Sequence, residues 1–137
     1  MSLEDGILPA FNTPQYLAAG KSANQSVSSG GDVTWDITES DGITITSSTL
    51  FNLKAGRVYE LTAYIRANTS GQFRWVDAAN ATFGSIPFSY SETGTPTQIV
   101  CKNIFAPLVD TDVKVRKTNL GSASVTTDSA IVIRSID

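Results

Sequence analysis

Between Arg57 and Ala67 the chain alternates without a break, and this constrains its fold more than any other feature. Tyr59, Leu61, Ala63, Ile65 and Ala67 fall on one side, while Val58, Glu60, Thr62, Tyr64 and Arg66 fall on the other. A period of two over that length specifies a strand with one face in a core. The second face is not simply polar, because it carries Val58 and Tyr64. It is therefore expected to meet another apolar surface rather than water alone.

The same period recurs along the chain. Val33, Trp35 and Ile37 share a face, as do Phe73, Trp75 and Asp77. Ile99, Cys101, Asn103 and Phe105 alternate with Val100, Lys102 and Ile104, and the closing run from Ile131 to Ile136 is likewise apolar on both sides. Strands are expected over Tyr16–Ala19, Asp32–Thr38, Gly42–Thr46, Leu50–Leu53, Arg57–Ala67, Gly71–Asp77, Ser85–Ser89, Gln98–Phe105, Asp112–Lys117 and Ser129–Ile136. Turns rich in Gly, Ser, Asn and Pro separate them at roughly 8–12 residues, the all-β spacing. No segment has helical periodicity with caps. About ten short strands must bury their faces as two packed antiparallel sheets or a closed barrel. One domain is expected over 15–137, after a leader or linker over 1–14.

Two-sided strands exceed what one sandwich interior can hide. Arg57–Ala67, Gln98–Phe105 and Ser129–Ile136 all show the excess, which is the physical argument for self-association. The interface residues expected on this argument are Val58, Tyr64, Val132 and Ile136. Core positions are expected at Trp35, Tyr59, Leu61, Ile65, Phe73, Ile99, Phe105 and Ile133.

Composition excludes several functions. The chain has no His, so Ser–His and Cys–His nucleophile pairs and His-based zinc sites are absent. Cys101 is the only cysteine, which forbids an intrachain disulfide, and its apolar strand marks it as a small hydrophobe. Glu60 and Asp77 are carboxylates for sugar hydrolysis only by default, so no catalytic residue is assigned. A net charge of −3 with ten scattered basic residues argues against nucleic acid. Only Lys114, Arg116 and Lys117 cluster, and they read as a solvated strand face. Asp110-Thr111-Asp112 alternates carboxylates as a hard-cation site does, yet Asp at a strand entrance ordinarily makes turns. No metal or cofactor is expected. No run of the roughly 18 apolar residues a membrane helix needs is present, and no basic-then-apolar signal opens the chain. Synthesis in a cytoplasm without a signal peptide is expected, and the sequons at Asn24, Asn68 and Asn80 are read as polar turns.

The run Phe51-Asn52-Leu53-Lys54-Ala55-Gly56-Arg57-Val58-Tyr59-Glu60-Leu61 resembles the strand-turn-strand "F-x-L-x-A-G-x-x-Y-x-L" of C1q/TNF-like jelly rolls. It is most similar to the version in bacteriophage tail-fibre and head-fibre tips. Phe73-Arg74-Trp75-Val76-Asp77-Ala78-Ala79-Asn80, with Phe83-Gly84, is similar to their "F-x-W-x-D-x-x-N…G" segment. Ser129-Ala130-Ile131-Val132-Ile133-Arg134 resembles their apolar last strand. The resemblance spans roughly Ala18 to Ile136. It implies a ten-stranded jelly roll that assembles as a homotrimer, caps a fibre in a virion or surface appendage, and touches other fibre or virion proteins, a host-surface glycan or a host-surface protein. The calcium that animal members often hold has no matching acidic cluster here.

Recognition on this reading falls to loops around Thr69–Gly71, Ala78–Ser85, Tyr90–Thr97 and Leu120–Thr127, with Ser70, Asn80, Phe83, Tyr90, Glu92 and Asn119 as candidate contacts. A monomeric carbohydrate-binding module is the first alternative, with Trp35, Trp75 and Tyr90 as sugar-stacking residues. The two tryptophans share strand faces with apolar neighbours, which favours core burial for both. A purely structural virion protein is the second alternative.

Overall fold

The structure, a computed structural model, describes residues 13–67, 71–83, 89–91 and 97–137. These form twelve strands and no helix: β1 Tyr16–Gly20, β2 Gln25–Ser28, β3 Ile37–Asp41, β4 Thr44–Thr46, β5 Leu50–Leu53, β6 Tyr59–Ala67, β7 Gly71–Asp77, β8 Ser89–Ser91, β9 Thr97–Phe105, β10 Thr111–Lys117, β11 Ser122–Val125 and β12 Ala130–Ser135. All pairings are antiparallel. One sheet runs β2-β11-β6-β12-β1-β3, with β9 on the other edge of β6. The second runs β4-β5-β10-β7-β8. The two pack face to face as an all-β jelly-roll sandwich.

Alternation builds the core. From β6 come Tyr59, Leu61, Ala63, Ile65 and Ala67; from β12, Ile131 and Ile133; from β9, Ile99 and Cys101. The second sheet supplies Phe51, Leu53, Phe73, Trp75, Val113 and Val115. Phe51 meets Trp75 edge-on at 6.0 Å between centroids, and the Trp75 indole Nε1 donates to the Cys101 carbonyl at 2.9 Å. A buried indole N–H needs such an acceptor. Phe105 packs half-buried against the core, its ring 4.3 Å from that of Phe83. Trp35, Tyr59, Leu61, Ile65, Phe73, Ile99 and Ile133 are all buried.

Two backbone details shape the edges of this core. The β5–β6 turn needs Gly56, whose φ of 80° lies in the left-handed region. Gly71 lets β7 start tightly: a Cβ there would stand 2.8 Å from the Phe73 ring and 3.5 Å from the Ala123 Cβ.

Several sequence expectations are corrected. The strand expected over Asp32–Thr38 lies at Ile37–Asp41 instead. Val33 and Trp35 are buried as their spacing indicates, but their backbones bond to different elements, Val33 N to the Val115 carbonyl and Trp35 N to the Ser48 carbonyl. Both bonds run to the side of the smaller sheet, and the next residue, Asp36, bonds through its N to the Gly20 carbonyl of β1, so the segment crosses between the sheets without joining a ladder. The strand expected over Ser85–Ser89 is found at Ser89–Ser91, while 84–88 lie outside the described residues. Of the 1–14 leader only Thr13 and Pro14 are described.

The expected ten strands become twelve because β2 and β11 pair with one another, burying Val27, Ala123 and Val125. The loop expected around Leu120–Thr127 therefore contains a strand. The Lys114–Lys117 cluster is not a solvated face. Lys117 shares the inward parity of Val113 and Val115 and is fully buried, and Lys114 is buried against Asp32 at 3.0 Å.

Candidate interaction surface

Strand register turns the outer side of the larger sheet, facing away from the core, into a grid. One row reads Asp41, Tyr16, Arg134, Glu60, Ile104; the next Glu39, Ala18, Val132, Thr62, Lys102; the third Ile37, Gly20, Ala130, Tyr64, Val100. Ile136 and Val58 continue the same parity, joined by the bond from Ile136 N to the Val58 carbonyl. All four interface candidates, Val58, Tyr64, Val132 and Ile136, thus lie on one face.

Nine large apolar side chains stand exposed among the described residues. Six of them, Tyr16, Ile37, Val100, Ile104, Val132 and Ile136, belong to this face, with exposures between 39% and 55%. Scattered apolar side chains need no explanation, whereas a contiguous patch marks an interaction site. Charges are woven into it. Glu60 accepts from Arg134 Nε at 2.8 Å and faces Lys102 Nζ at 3.2 Å. The hydrogen bonds from Lys102 and then from Arg134 hold its carboxyl below the usual carboxylate range.

The loops sort to two ends of the sandwich. At one end Gly56 N bonds the Pro107 carbonyl, Ala55 N bonds Asp110 Oδ1, and Ala78 N bonds the Asp112 carbonyl. Arg57 binds Asp137 at 2.9 Å and donates to the Thr13 carbonyl, so both flanks of the domain meet here. Asn80 and Phe83 lie at this end. Asn80, at φ 70°, sits in a turn capped by Asp77 Oδ1, which accepts from Ala79 N and Ala81 N at 2.9 Å each. Phe83 is half-buried against Phe105, and its carbonyl accepts from Asn103 Nδ2.

At the opposite end Gly30 N bonds the Lys117 carbonyl, Thr118 N the Gln72 carbonyl, and Thr126 N the Arg66 carbonyl. Asn119 belongs here, its Oδ1 turned inward to accept from Gln72 N at 2.9 Å and Lys117 Nζ at 2.7 Å. Lys117 Nζ also donates to the carbonyls of Asn119 and Leu120, and burial pushes its pKa below the usual lysine value. This buried ammonium was missed in the sequence, although its parity with Val113 and Val115 was visible. Tyr90 lies in β8, paired with Gln72. Ser70 and Glu92 lie outside the described residues. The candidate contacts are therefore divided between opposite ends, not gathered at one.

The carboxylates do not converge on a reaction centre. Glu60 is on the outer sheet face, whereas Asp77 caps the β7 turn of the other sheet. Asp110 is bound to Ala55 N and lies 3.7 Å from Lys54, and Asp112 accepts from Asn52 Nδ2. No group of His, Cys, Asp or Glu able to hold a metal occurs among the described residues. Trp35 and Trp75 are both buried, which removes them as platforms for sugars.

No protein-family model and no curated protein matches the chain. Solved structures do match in fold. The globular domain of zebrafish complement 1qA protein superposes with a TM-score of 0.66 at 10% identity, over 89% of this chain and 95% of that one. Eiger TNF from S. frugiperda gives 0.63 at 13% identity, over 90% and 92%. Murine APRIL at pH 8.5 gives 0.64 at 10% identity, over 90% and 100%. The chain has a C1q/TNF-like fold.

Proposed function

We propose that this chain is a non-enzymatic jelly-roll domain that works as a homotrimer, capping a phage fibre or similar surface appendage and presenting loops to a host-surface glycan or protein. One observation carries the reading: the outer face across β3, β1, β12, β6 and β9 gathers six of the nine large apolar side chains exposed among the described residues, with charges set between them. A face of that kind shields itself most simply by packing against copies of the same chain. The C1q/TNF-like fold and the motifs at Phe51–Leu61 and Phe73–Gly84, which resemble phage fibre tips, support the trimer and the virion setting. Synthesis in a bacterial cytoplasm belongs to the same proposal.

Thr13 and Asp137 share one end of the domain, and Asn119 and Leu120 lie at the opposite end. Three copies multiply weak single contacts through effective concentration, so a flat surface without a deep pocket suffices. A monomeric sugar-binding module loses support because both tryptophans are in the core.

Light scattering tests the assembly. A mass near three times 14.6 kDa is expected, and Tyr64→Glu, which sets a charge between Ala130 and Val100, is expected to shift the chain towards monomer. A wild-type mass near 14.6 kDa, or a trimer indifferent to Tyr64→Glu, overturns the trimer or this interface. Binding to host cells or a glycan array separates a recognition role from a purely structural one.

A further inference from the structure

The outer face is electrically lopsided as well as apolar. Its two borders among the described residues are β3, which pairs with β1, and β9, which pairs with β6. The β3 border is acidic. Glu39 and Asp41 stand on the outer side of a fully exposed strand, and no cation among the described residues bonds to them. From the central strand β12 across to β9 the face is basic. Lys102 and Arg134 share the single carboxylate of Glu60, leaving one positive charge in excess, and their side chains are 48% and 61% exposed. Apolar residues flank both patches, Ile37 beside the acids and Val100 and Ile104 beside Lys102.

We infer that copies of this chain join head to tail through these patches, Lys102 and Arg134 of one copy facing Glu39 and Asp41 of the next, so that salt tunes the assembly. The inference rests on the trimer reading and adds its direction and its electrostatic control. A second copy is the fitting occupant because the acidic border on β3 and the net positive charge running from β12 to β9 belong to one face of the same chain. Filling the acidic border of one molecule leaves its basic half free for another, and repeated contacts of this kind close into a ring. Opposed charges fix register and suppress the reversed arrangement, which would set like charges together. Such pairs at a partly solvated rim are screened as the Debye length falls from about 10 Å at 0.1 M salt to about 3 Å at 1 M.

Sedimentation equilibrium at about 50 and 500 mM sodium chloride tests this on wild type, E39Q/D41N and E39K/D41K. Glu39 and Asp41 have no partner within the described chain, so both variants are expected to keep the wild-type fold, checked by far-UV circular dichroism and thermal unfolding. The apparent dissociation constant of the wild-type trimer is expected to rise at least about tenfold over this salt range. E39Q/D41N is expected to weaken the trimer at low salt and lose most of that dependence. E39K/D41K is expected to be monomeric at low salt and to regain some assembly as salt screens the repulsion. A salt-indifferent wild-type trimer, or an E39K/D41K trimer as tight as wild type at 50 mM, overturns the charge pairing and leaves the trimer intact. A wild-type monomer or dimer at 50 mM overturns the trimer reading itself.

Discussion

Replacing Lys117 with Met removes an ammonium that the fold encloses completely, with no carboxylate among the described residues bonded to it. Lys117 is fully buried at the end of β10, and its Nζ donates to the Asn119 carbonyl at 2.8 Å, Asn119 Oδ1 at 2.7 Å and the Leu120 carbonyl at 3.1 Å. Three charge-assisted bonds at roughly 1.5–3 kcal/mol each give about 4–9 kcal/mol in favour of the lysine. Against this stands the burial of the charge, which costs several kcal/mol, and a methionine recovers apolar burial of about 1–2 kcal/mol. After the loss Asn119 Oδ1 keeps Gln72 N, and water reaches the Leu120 carbonyl at the exposed turn. The balance leaves Lys117→Met less stable by about 1–3 kcal/mol at pH 7, or about 3–12 °C in Tm for a domain of this size.

Titration supplies a second signature. Burial holds the folded-state lysine pKa below its unfolded value, so the unfolded chain binds more protons in the window between the two. Wild-type stability therefore gains a contribution as pH rises from the folded pKa towards 10.5, and Lys117→Met lacks it. The stability gap between the two should widen over that window, read from urea midpoints at neutral and alkaline pH. A variant as stable as wild type would show that the three bonds contribute nothing net. A gap independent of pH would show that the ammonium is solvated.

Two further outcomes follow from local geometry. Ser47 and Ser48 both have positive φ, 55° and 59°, in the turn closed by Thr49 N to the Thr46 carbonyl, where glycine is the favoured residue. Ser48→Gly is expected to stabilise by up to about 1 kcal/mol in a urea titration, because relief of left-handed strain exceeds the added chain entropy; a loss of stability refutes this. On acidification, Asp137 is held low chiefly by the Arg57 hydrogen bond, Asp36 by Ser22, and Glu60 by Lys102 and Arg134. Their contribution is complete above the ordinary carboxylate pKa and is lost as pH falls through the depressed values, so the urea midpoint should drop below about pH 4. An Arg57→Ala variant should lose less on acidification than wild type, since its Asp137 has already lost the Arg57 bond.

Alternation made most of the fold legible. β6, β9, β10 and β12 are long enough for period two to stand out, and their inward residues follow from parity alone. β2 and β11 were hidden because four-residue strands reading Gln-Ser-Val-Ser and Ser-Ala-Ser-Val look like polar loops. They hold because each supplies the other's ladder, a pairing separated by about a hundred residues that no local pattern encodes. Val33 to Ile37 shows the converse: periodicity reports burial, not the hydrogen-bond partner, so burial was legible and strand pairing was not. Lys117 was misjudged because charge was weighed by neighbourhood in sequence rather than by the parity it shares with two buried valines. For the surface, each strand's outer residues were readable one strand at a time. That they form one grid, and that Asn80 and Asn119 part to opposite ends, depends on topology.

The buried lysine also bears on how the end far from Thr13 would meet a partner. Asn119 spends its side-chain oxygen on Gln72 and Lys117, and Lys117 takes the backbone carbonyls of Asn119 and Leu120, so the polar groups of this turn face inward. What remains outward is Leu120, 88% exposed, followed by Gly121 at φ 84°. A turn already fixed from beneath loses little freedom when its apolar tip is covered, which raises affinity without added contact area. Leu108, at 96% exposure, stands instead at the end where Thr13 and Asp137 meet. The two exposed leucines therefore stand at opposite ends of the sandwich, so one compact contact cannot cover both.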